Sequence, residues 1–71
     1  MIHITDFWHL NHTDVVVHCV NGDSFVGFWS DYTSEADNEP DPASIIVDEA
    51  GGGLRELYVQ EIKTIVPAKA S

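Results

Sequence analysis

Two apolar stretches separated by a tight turn dominate the first half of the chain. Thr13 to Val20 reads T-D-V-V-V-H-C-V, and a run of β-branched residues of this kind is typical of a strand. Asn21-Gly22 follows, a dipeptide that favours a two-residue hairpin turn because both residues tolerate positive φ. The pattern therefore predicts that Ser24 to about Thr33 forms a second strand, antiparallel to the first.

This second strand carries large apolar side chains on both of its faces. Alternation with period two places Phe25, Gly27 and Trp29 on one face. The other face carries Val26, Phe28, Ser30 and Tyr32. Since neither face is plainly polar, we expect part of the second face to be covered as well.

The remainder of the chain predicts three more strands and an exposed loop. Residues 34–43 contain four acids and two prolines without apolar periodicity, which indicates an exposed acidic loop. The later predicted elements are a strand at Ser44–Asp48, a glycine-rich turn at 49–53, a strand at Leu54–Val59, a 3₁₀ turn with Ile62 and Ile65 three residues apart, a brief fifth strand that Pro67 ends, and a frayed tail at 68–71. The whole chain, residues 1–71, is thus predicted to be one small domain.

The N-terminal segment, residues 1–12, predicts either a short helix or a turn. Thr5 or Asp6 could cap a helix in which Phe7 and Leu10 lie three residues apart on one face. So short a helix is stable only if it packs on the rest of the domain.

Gly27 is the unusual residue of the second strand. A glycine inside a strand costs stability, and it usually marks a bend or the close approach of another backbone. A long strand that bends at mid-length can belong to both sheets of a small barrel. We therefore expect Gly27 to make room for Phe25 and Trp29 on the concave side of such a bend.

From Val15 to Val66 the chain resembles the small five-stranded barrels of the Sm-like and Src-homology-3-like proteins. The residues that carry this resemblance are V-x-V-x-C-x-N-G-x-x-F-x-G-x-W, then S-I-I-V, then E-I-K-T-I. The resemblance implies a mainly-β, bent-sheet barrel. In Sm-like proteins the fourth and fifth strands pair between copies to build rings, so the resemblance also implies a homo-oligomer.

Sm-like proteins bind RNA through two loops, and this chain departs from the family pattern at both. The first loop contains an aspartate and an asparagine, and it would fall around Asp31 to Asn38, where S-E-A is an insertion. The second is a basic-glycine loop, and it would fall near Val59-Gln60-Glu61, which contains neither arginine nor glycine. An RNA-binding ring, with Arg55 and Lys63 lining its pore, is the alternative interpretation.

Charge also argues against RNA. Twelve acids and three bases give a formal net charge of −9, and all three bases lie after residue 54. Proteins bind phosphate backbones through lysine and arginine, so nucleic acid and anionic membranes are disfavoured as partners. A cationic partner, or simple solubility, fits the charge better.

Composition indicates a globular domain that needs support beyond its own core. The 71 residues are 44% hydrophobic and 21% charged, and a chain of this length buries only roughly 60% of its unfolded surface. Cys19 is the single cysteine, so no intrachain disulfide can form. The remaining supplements are a metal, self-association or a very well packed core.

The sequence predicts neither a membrane span nor a signal peptide. The longest apolar stretches are only a few residues, and residues 1–4 lack the basic start and apolar middle of a secretory signal. The default compartment is a reducing cytoplasm, although a virion component would have the same composition.

The candidate metal sites are weak. His9 and His12 are three residues apart and could share a helix face, with Asp6 or Asp14 as a third ligand, but no motif of recognised spacing is present. Asp37, Glu39 and Asp41 alternate, but a calcium loop of the helix–loop–helix type requires glycine where this chain has Pro42. We expect no metal and no cofactor.

The candidate catalytic groups are equally weak. His18 and Cys19 are adjacent on a strand, so their side chains point to opposite faces and cannot form a dyad. Cys19 is predicted to be a small buried hydrophobe. Gly51-Gly52-Gly53 has no following lysine or helix start, so we interpret it as a hairpin turn rather than a phosphate-binding loop.

The surplus aromatic residues are the strongest functional signal. Phe7, Trp8, Phe28 and Tyr32 exceed what one small core needs if Phe25 and Trp29 fill it, and surplus aromatic surface commonly marks a protein–protein interface. The alternative is that the N-terminal segment folds over the second face and buries them. Nothing assembles a nucleophile, a base and an oxyanion site, so the sequence predicts a non-enzymatic interaction or assembly module that binds copies of itself or another protein.

Overall fold

The computed structural model describes residues 2–40 and 42–68, and it shows a mainly-β domain. Its strands are β1 (Asp14–Cys19), β2 (Ser24–Thr33), β3 (Ser44–Glu49), β4 (Leu54–Tyr58) and β5 (Ile62–Pro67). All neighbouring strands are antiparallel, in the order β4-β3-β2-β1-β5. The five predicted strands are therefore confirmed, the first four with bounds within one residue of those predicted.

Three short helical elements connect or precede the strands. They are the 3₁₀ helices η1 (Ile4–Leu10) and η2 (Val59–Glu61) and the one-turn helix α1 (Glu35–Asn38). A 3₁₀ turn precedes the last strand as predicted, but it is η2, and Ile62 and Ile65, whose spacing predicted the turn, lie in β5 instead. A register shift in the β1–β5 ladder leaves Lys63 without a ladder partner, which brings both isoleucines into the core. Within the described residues no ladder joins β4 to β5, so the sheet is open and its closure into a barrel is not observed.

Both tight hairpins have three-residue loops, which corrects the predicted two-residue turn at Asn21-Gly22. The amide N–H of Cys19 donates to the carbonyl of Asp23 at 2.7 Å, and Gly22 N–H donates to Cys19 O at 3.1 Å. Only Gly22 takes positive φ (97°), whereas Asn21 accepts the Asp23 N–H on its side-chain oxygen at 3.0 Å. The loop is the three-residue type with glycine in the left-handed region.

The second hairpin repeats this arrangement between β3 and β4. Glu49 N–H donates to Gly53 O at 3.0 Å, and Gly52 N–H donates to Glu49 O at 2.9 Å. Gly52 and Gly53 have φ of 94° and 100°. The predicted glycine-rich hairpin turn is therefore confirmed.

Gly27 lies where the backbone of β3 leaves no room for a side chain. A Cβ added there would contact the carbonyl oxygen of Asp48, and it would lie 2.6 Å from Val47 Cγ1 and 2.9 Å from the Asp48 carbonyl carbon. Real Cβ atoms essentially never approach other atoms so closely. Of the two reasons for a strand glycine, the close approach of a neighbouring backbone is the one observed.

A β-bulge in β2 changes which face its last residues occupy. Trp29 pairs with Val47 and Asp31 pairs with Ile46, so Ser30 is an extra residue without a ladder partner. The bulge shifts the alternation by one residue, and Tyr32 then pairs with the fully buried Ile45. The predicted placement of Tyr32 on the same face as Phe28 was wrong, because simple period two does not hold across a bulge.

The core lies on one face of the sheet and is almost entirely aliphatic around one tryptophan. Trp29 is 0% exposed, and its indole Nε1 donates to Asp31 O at 2.9 Å. The other fully or nearly fully buried core residues are Ile4, Leu10, Val15, Val17, Cys19, Ile45, Val47, Leu57, Val59, Ile62 and Ile65. The predicted burial of Cys19 is thus confirmed.

The N-terminal segment forms η1 and packs onto this core. Three residues per turn bring Ile4, Phe7 and Leu10 to one side of a 3₁₀ helix. Ile4 and Leu10 are buried, and Phe7 packs against the core cluster. His3 is the N-cap and makes no side-chain capping bond, so the predicted cap at Thr5 or Asp6 was wrong.

The acidic loop is more ordered than its composition indicated. Ser34 caps α1, and its hydroxyl accepts the Asp37 N–H at 3.3 Å. A Ser N-cap followed by acidic residues stabilises the start of a helix, and this local signal was missed. Asp41 of the predicted loop and residues 69–71 of the predicted tail lie outside the described residues.

Candidate functional site

The structure divides the four predicted interface aromatics between two surfaces. Trp8 is 46% exposed and lies edge-on to Trp29 and Tyr32, with ring centroids 5.9 and 5.4 Å apart. Phe7 and Tyr32 are half-buried against the core. These three residues therefore belong to the core-facing side of the sheet, where Trp8 is the exposed member.

Phe28 is on the opposite side of the sheet, which we call the outer face. It is 40% exposed and stacks on His12, with ring centroids 6.4 Å apart and an interplanar angle of 26°. His12, the last residue of the N-terminal segment, therefore contacts Phe28 but does not bury it, contrary to the alternative in which the segment would bury all four aromatics.

An apolar stripe crosses the outer face beside Phe28. Val26 is 50% exposed and pairs with Val16, and Val16 pairs in turn with Val66. Directly paired residues point to the same face, so these three side chains form a continuous row across β2, β1 and β5. We call Val16, Val26 and Val66 the outer valine stripe.

The next row of the outer face places one aromatic between two carboxylates. Phe28 pairs with Asp14 of β1 on one side and with Asp48 of β3 on the other. Both aspartates are exposed. A concavity of about 330 Å³ lies here, lined by Asp14, Val26, Gly27, Phe28, Asp48, Ala50 and Ala68. We call Asp14, Phe28 and Asp48 the acidic–aromatic row.

The sheet has two edges, β4 and β5, and the hydrogen-bond pattern indicates which groups face outward. The bond from Glu49 N–H to Gly53 O makes these two residues a hydrogen-bonded pair. Hydrogen-bonded and non-hydrogen-bonded pairs alternate along an antiparallel ladder, so Leu54 and Glu56 direct their N–H and C=O groups away from β3. The bond from Ala68 N–H to Asp14 O makes Ile65 and Pro67 the corresponding outward residues of β5, and of these two Ile65 has an N–H. Leu54 is 72% exposed.

The side chains near the β4 edge form a connected polar network. The hydroxyl of the fully buried Ser44 donates to Glu56 Oε2 at 2.7 Å, and the Tyr58 hydroxyl donates to Glu56 Oε1 at 3.3 Å. Glu61 Oε1 accepts the Tyr58 backbone N–H at 3.0 Å. These bonds fix the end of β4 and the start of η2.

Arg55, one of the two bases proposed for an RNA-binding pore, is already engaged. Its Nε lies 2.7 Å from Glu49 Oε1, and its guanidinium carbon lies 4.1 Å from the Phe25 ring centroid. The segments that would correspond to the RNA-binding loops contain α1 and η2, with exposed acids at Glu35, Asp37 and Glu61. This local charge is unfavourable for a phosphate backbone.

The structure also locates the other polar candidates. His18 Nδ1 lies 2.8 Å from Ser24 Oγ on the outer face, whereas Cys19 is buried on the core face, so the two do not meet. In residues 2–40 and 42–68 no three histidine, cysteine, aspartate or glutamate side chains are grouped to hold a metal ion. No helix in the same residues is long and apolar enough to cross a membrane.

The environment of Cys19 makes its thiol a poor nucleophile. Burial raises the pKa of Cys19, and the negative charges of Glu61 and Asp23 raise it further, against a smaller lowering by Arg55. The reactive species is the thiolate, so a raised pKa lowers reactivity at neutral pH.

We expect iodoacetamide at pH 8 to alkylate Cys19 in the native protein at least about tenfold more slowly than in urea-unfolded protein. Because the folded state holds this proton more tightly, stability should fall as pH rises above the ordinary thiol pKa, and Cys19→Ala should remove that fall. Mass spectrometry reads the reaction directly, since the chain has a single cysteine. Equal rates in the two states would contradict the buried, protonated thiol.

Comparisons of the chain with protein-family models, with curated proteins and with solved structures gave no match.

The features of the outer face that the sequence did not reveal are the position of Asp14 and Asp48 on either side of Phe28 and the outer valine stripe. Asp14 and Asp48 are 34 residues apart in sequence, and only the strand register brings them to the two sides of Phe28. The register depends on the loop length of the first hairpin and on the length of β2. Had a three-residue loop been predicted at 20–22, the pairing of Asp14 with Phe28 would have followed, but not the pairing of Phe28 with Asp48.

Proposed function

We propose that this protein is a non-enzymatic assembly module that self-associates by pairing the β4 edge of one copy with the β5 edge of the next. The observation that carries the proposal is that, within the described residues, no strand pairs with the outer side of β4 or of β5. Open edges with outward N–H and C=O groups are templates for pairing with another chain.

The strand order supports this mode of association. The two edges, β4 and β5, are consecutive in the chain and are joined only by the three residues of η2. An arrangement of this kind brings the edges near each other in a strongly bent sheet, as in the Sm-like barrels that the chain resembles. The Sm-like barrel, with its ring of edge-paired copies, is therefore the architecture that we propose for the assembled protein.

The size of the domain supports association as well. Seventy-one residues without a disulfide have a small core for their surface. Pairing of edges would add backbone hydrogen bonds and would cover Leu54, the most exposed of the large hydrophobic side chains.

A binding function is better supported than a catalytic one. Among the described residues, the single thiol is buried and the histidine beside it points to the other face. Four concavities lined by residues within 2–40 and 42–68 do not bring together a nucleophile, a base and an oxyanion site. RNA binding by an Sm-like ring is less supported, because Arg55 is paired with Glu49 and the net charge of the chain is −9.

The test of edge pairing is a proline at an outward position of β4. Leu54→Pro removes an N–H that points away from β3 and places a ring on the edge, so the sheet itself should tolerate it. We expect Leu54→Pro to weaken self-association by at least about tenfold, because strand addition requires that N–H. Light scattering on a sizing column measures the mass.

Leu54→Ser is the matched control, since it removes the apolar side chain and keeps the backbone N–H. Circular dichroism should show native strand content in both variants. If both variants lower the mass equally, the contact is made by the side chain and not by backbone pairing. If neither lowers it, β4 is not the associating edge.

A further inference from the structure

We propose that the outer face binds a basic segment of another protein, with an arginine or lysine between Asp14 and Asp48 over Phe28. Apolar residues of the same segment would lie on the outer valine stripe. This proposal concerns a surface and a partner that the proposed edge pairing does not use.

The acidic–aromatic row has the dimensions of a site for one cationic side chain. Asp14 and Asp48 lie on the strands that flank β2, so their backbones are about two strand spacings, or ~10 Å, apart. Phe28 lies between them and is 40% exposed, with the exposed His12 ring stacked on it at 6.4 Å. A cation at the part of the Phe28 ring that His12 does not contact would have a carboxylate on each side. Arginine suits such a site because its planar guanidinium both stacks and pairs with carboxylates.

The charge distribution of the sheet supports a cationic partner. The strands β1, β2 and β3 contain no lysine or arginine, so no base of these strands neutralises Asp14 or Asp48. The structure gives a single ion pair among the described residues, between Arg55 and Glu49. A positively charged segment would therefore meet a surface of opposite potential, which favours both its approach and its register.

The apolar part of the surface supports a partner segment that presents basic and aliphatic side chains on the same face. The outer valine stripe runs beside the acidic–aromatic row, two residues away along β1 and β2, which makes it the next row on the same face. A partner with basic and aliphatic side chains on one surface would place its charges on one row and its apolar groups on the other. Burial of Val26, now 50% exposed, would add to the affinity.

A second copy of this chain is a poor occupant of the outer face. The protein has only three bases, and Arg55 is already held by Glu49 and Phe25. Anionic lipid and nucleic acid are repelled by the same aspartates. The chemistry that fits is a basic, partly aliphatic protein segment.

The probe for this proposal is a short synthetic peptide in which arginine and valine occupy every second position, with serine between them, so that both lie on one face of an extended strand. Two control peptides keep one property each. In the first, glutamine replaces arginine, which keeps the apolar valines, and in the second, glycine replaces valine, which keeps the positive charge. We expect the arginine–valine peptide to bind most tightly, to weaken as salt is raised, and to shift the NMR amide signals of β1 to β3 around Phe28.

The protein variants separate this site from general acidity. Asp14→Asn with Asp48→Asn should weaken binding of the arginine–valine peptide about tenfold, and Phe28→Ala should weaken it comparably. Glu35→Gln with Asp37→Asn makes the same charge change in α1, and it should weaken binding less than about twofold.

Equal weakening by the two double variants would overturn the proposal, since it would mean non-specific attraction to a protein of charge −9. Amide shifts confined to residues outside β1–β3 would also overturn it. If no peptide binds and Val26→Asp lowers the native mass, the occupant is a second copy, and the proposal is wrong. Failure of peptide binding would leave edge pairing untouched, because Leu54→Pro tests that separately.

Discussion

Gly27→Val is expected to destabilise the protein by about 3 kcal/mol or more, the upper end of the range for overpacking. The cause is that the added atoms would overlap the Asp48 backbone, which cannot move without breaking the β2–β3 ladder. Gly27→Ala should already cost a large part of this, since its Cβ alone meets the same atoms. Urea unfolding followed by circular dichroism measures the change in the free energy of unfolding.

Gly51→Val is the matched control for this experiment. A Cβ at Gly51 would meet no atom within 4 Å, and its φ is not in the left-handed region that favours glycine. Its expected change is within about 0.5 kcal/mol. If Gly27→Val lowered the free energy of unfolding as little as Gly51→Val, the description of β3 as lying too close to Gly27 for a side chain would be wrong.

Trp29→Ala should cost about 3–5 kcal/mol, the range for removing a large aromatic side chain from a core. Trp29 is fully buried, and its indole Nε1 donates to Asp31 O beside the bulge in β2. The substitution therefore leaves a cavity in the middle of the core, and it also releases the bond that fixes the strand at the bulge. The same urea titration reads the loss.

Trp8→Ala separates the core tryptophan from the surface one. Trp8 is 46% exposed and contacts Trp29 and Tyr32 through its ring edges, contacts worth roughly 0.5–1.5 kcal/mol each. Trp8→Ala should therefore cost clearly less than Trp29→Ala. If Trp8→Ala destabilised the protein more than Trp29→Ala, the packing of η1 would contribute more to stability than the tryptophan in the core of the sheet.

The strands were predictable because their composition is locally decisive. β-branched residues in Val15–Val17 and Ile45–Val47 favour strands, and glycines mark both hairpin loops. The spacing of Ile62 and Ile65 predicted a compact turn, but both residues lie in β5, and the turn is η2, which ends at Glu61. Closure of the sheet depends on long-range geometry that no local pattern specifies.

The strand register and the face on which each side chain lies were harder to predict, because one extra residue in a loop or strand changes both. A two-residue turn at Asn21-Gly22 would have paired Asp14 with Trp29, whereas the three-residue loop pairs Asp14 with Phe28. A slip of one residue moves a side chain to the other face. The extra residue at Ser30 did the same to Tyr32, and nothing in the sequence around it marks a bulge.

The candidate sites were predictable only in part, for the same reason. The aromatic surplus drew attention to Trp8 and Phe28, which are both exposed, but it grouped residues that lie on opposite sides of the sheet. The acidic–aromatic row could not be found without the register, since its members come from three strands. The general preference for a cationic partner, in contrast, followed from charge alone.

The native mass in solution, measured by light scattering at low and high salt, is the decisive experiment for self-association through strand edges. The proposed pairing uses backbone hydrogen bonds and apolar contact, while the charge of −9 on each copy opposes it. We therefore expect a defined assembly of several copies at both salt concentrations, no weaker at high salt because salt screens the repulsion. A monomer at both would contradict the proposed function.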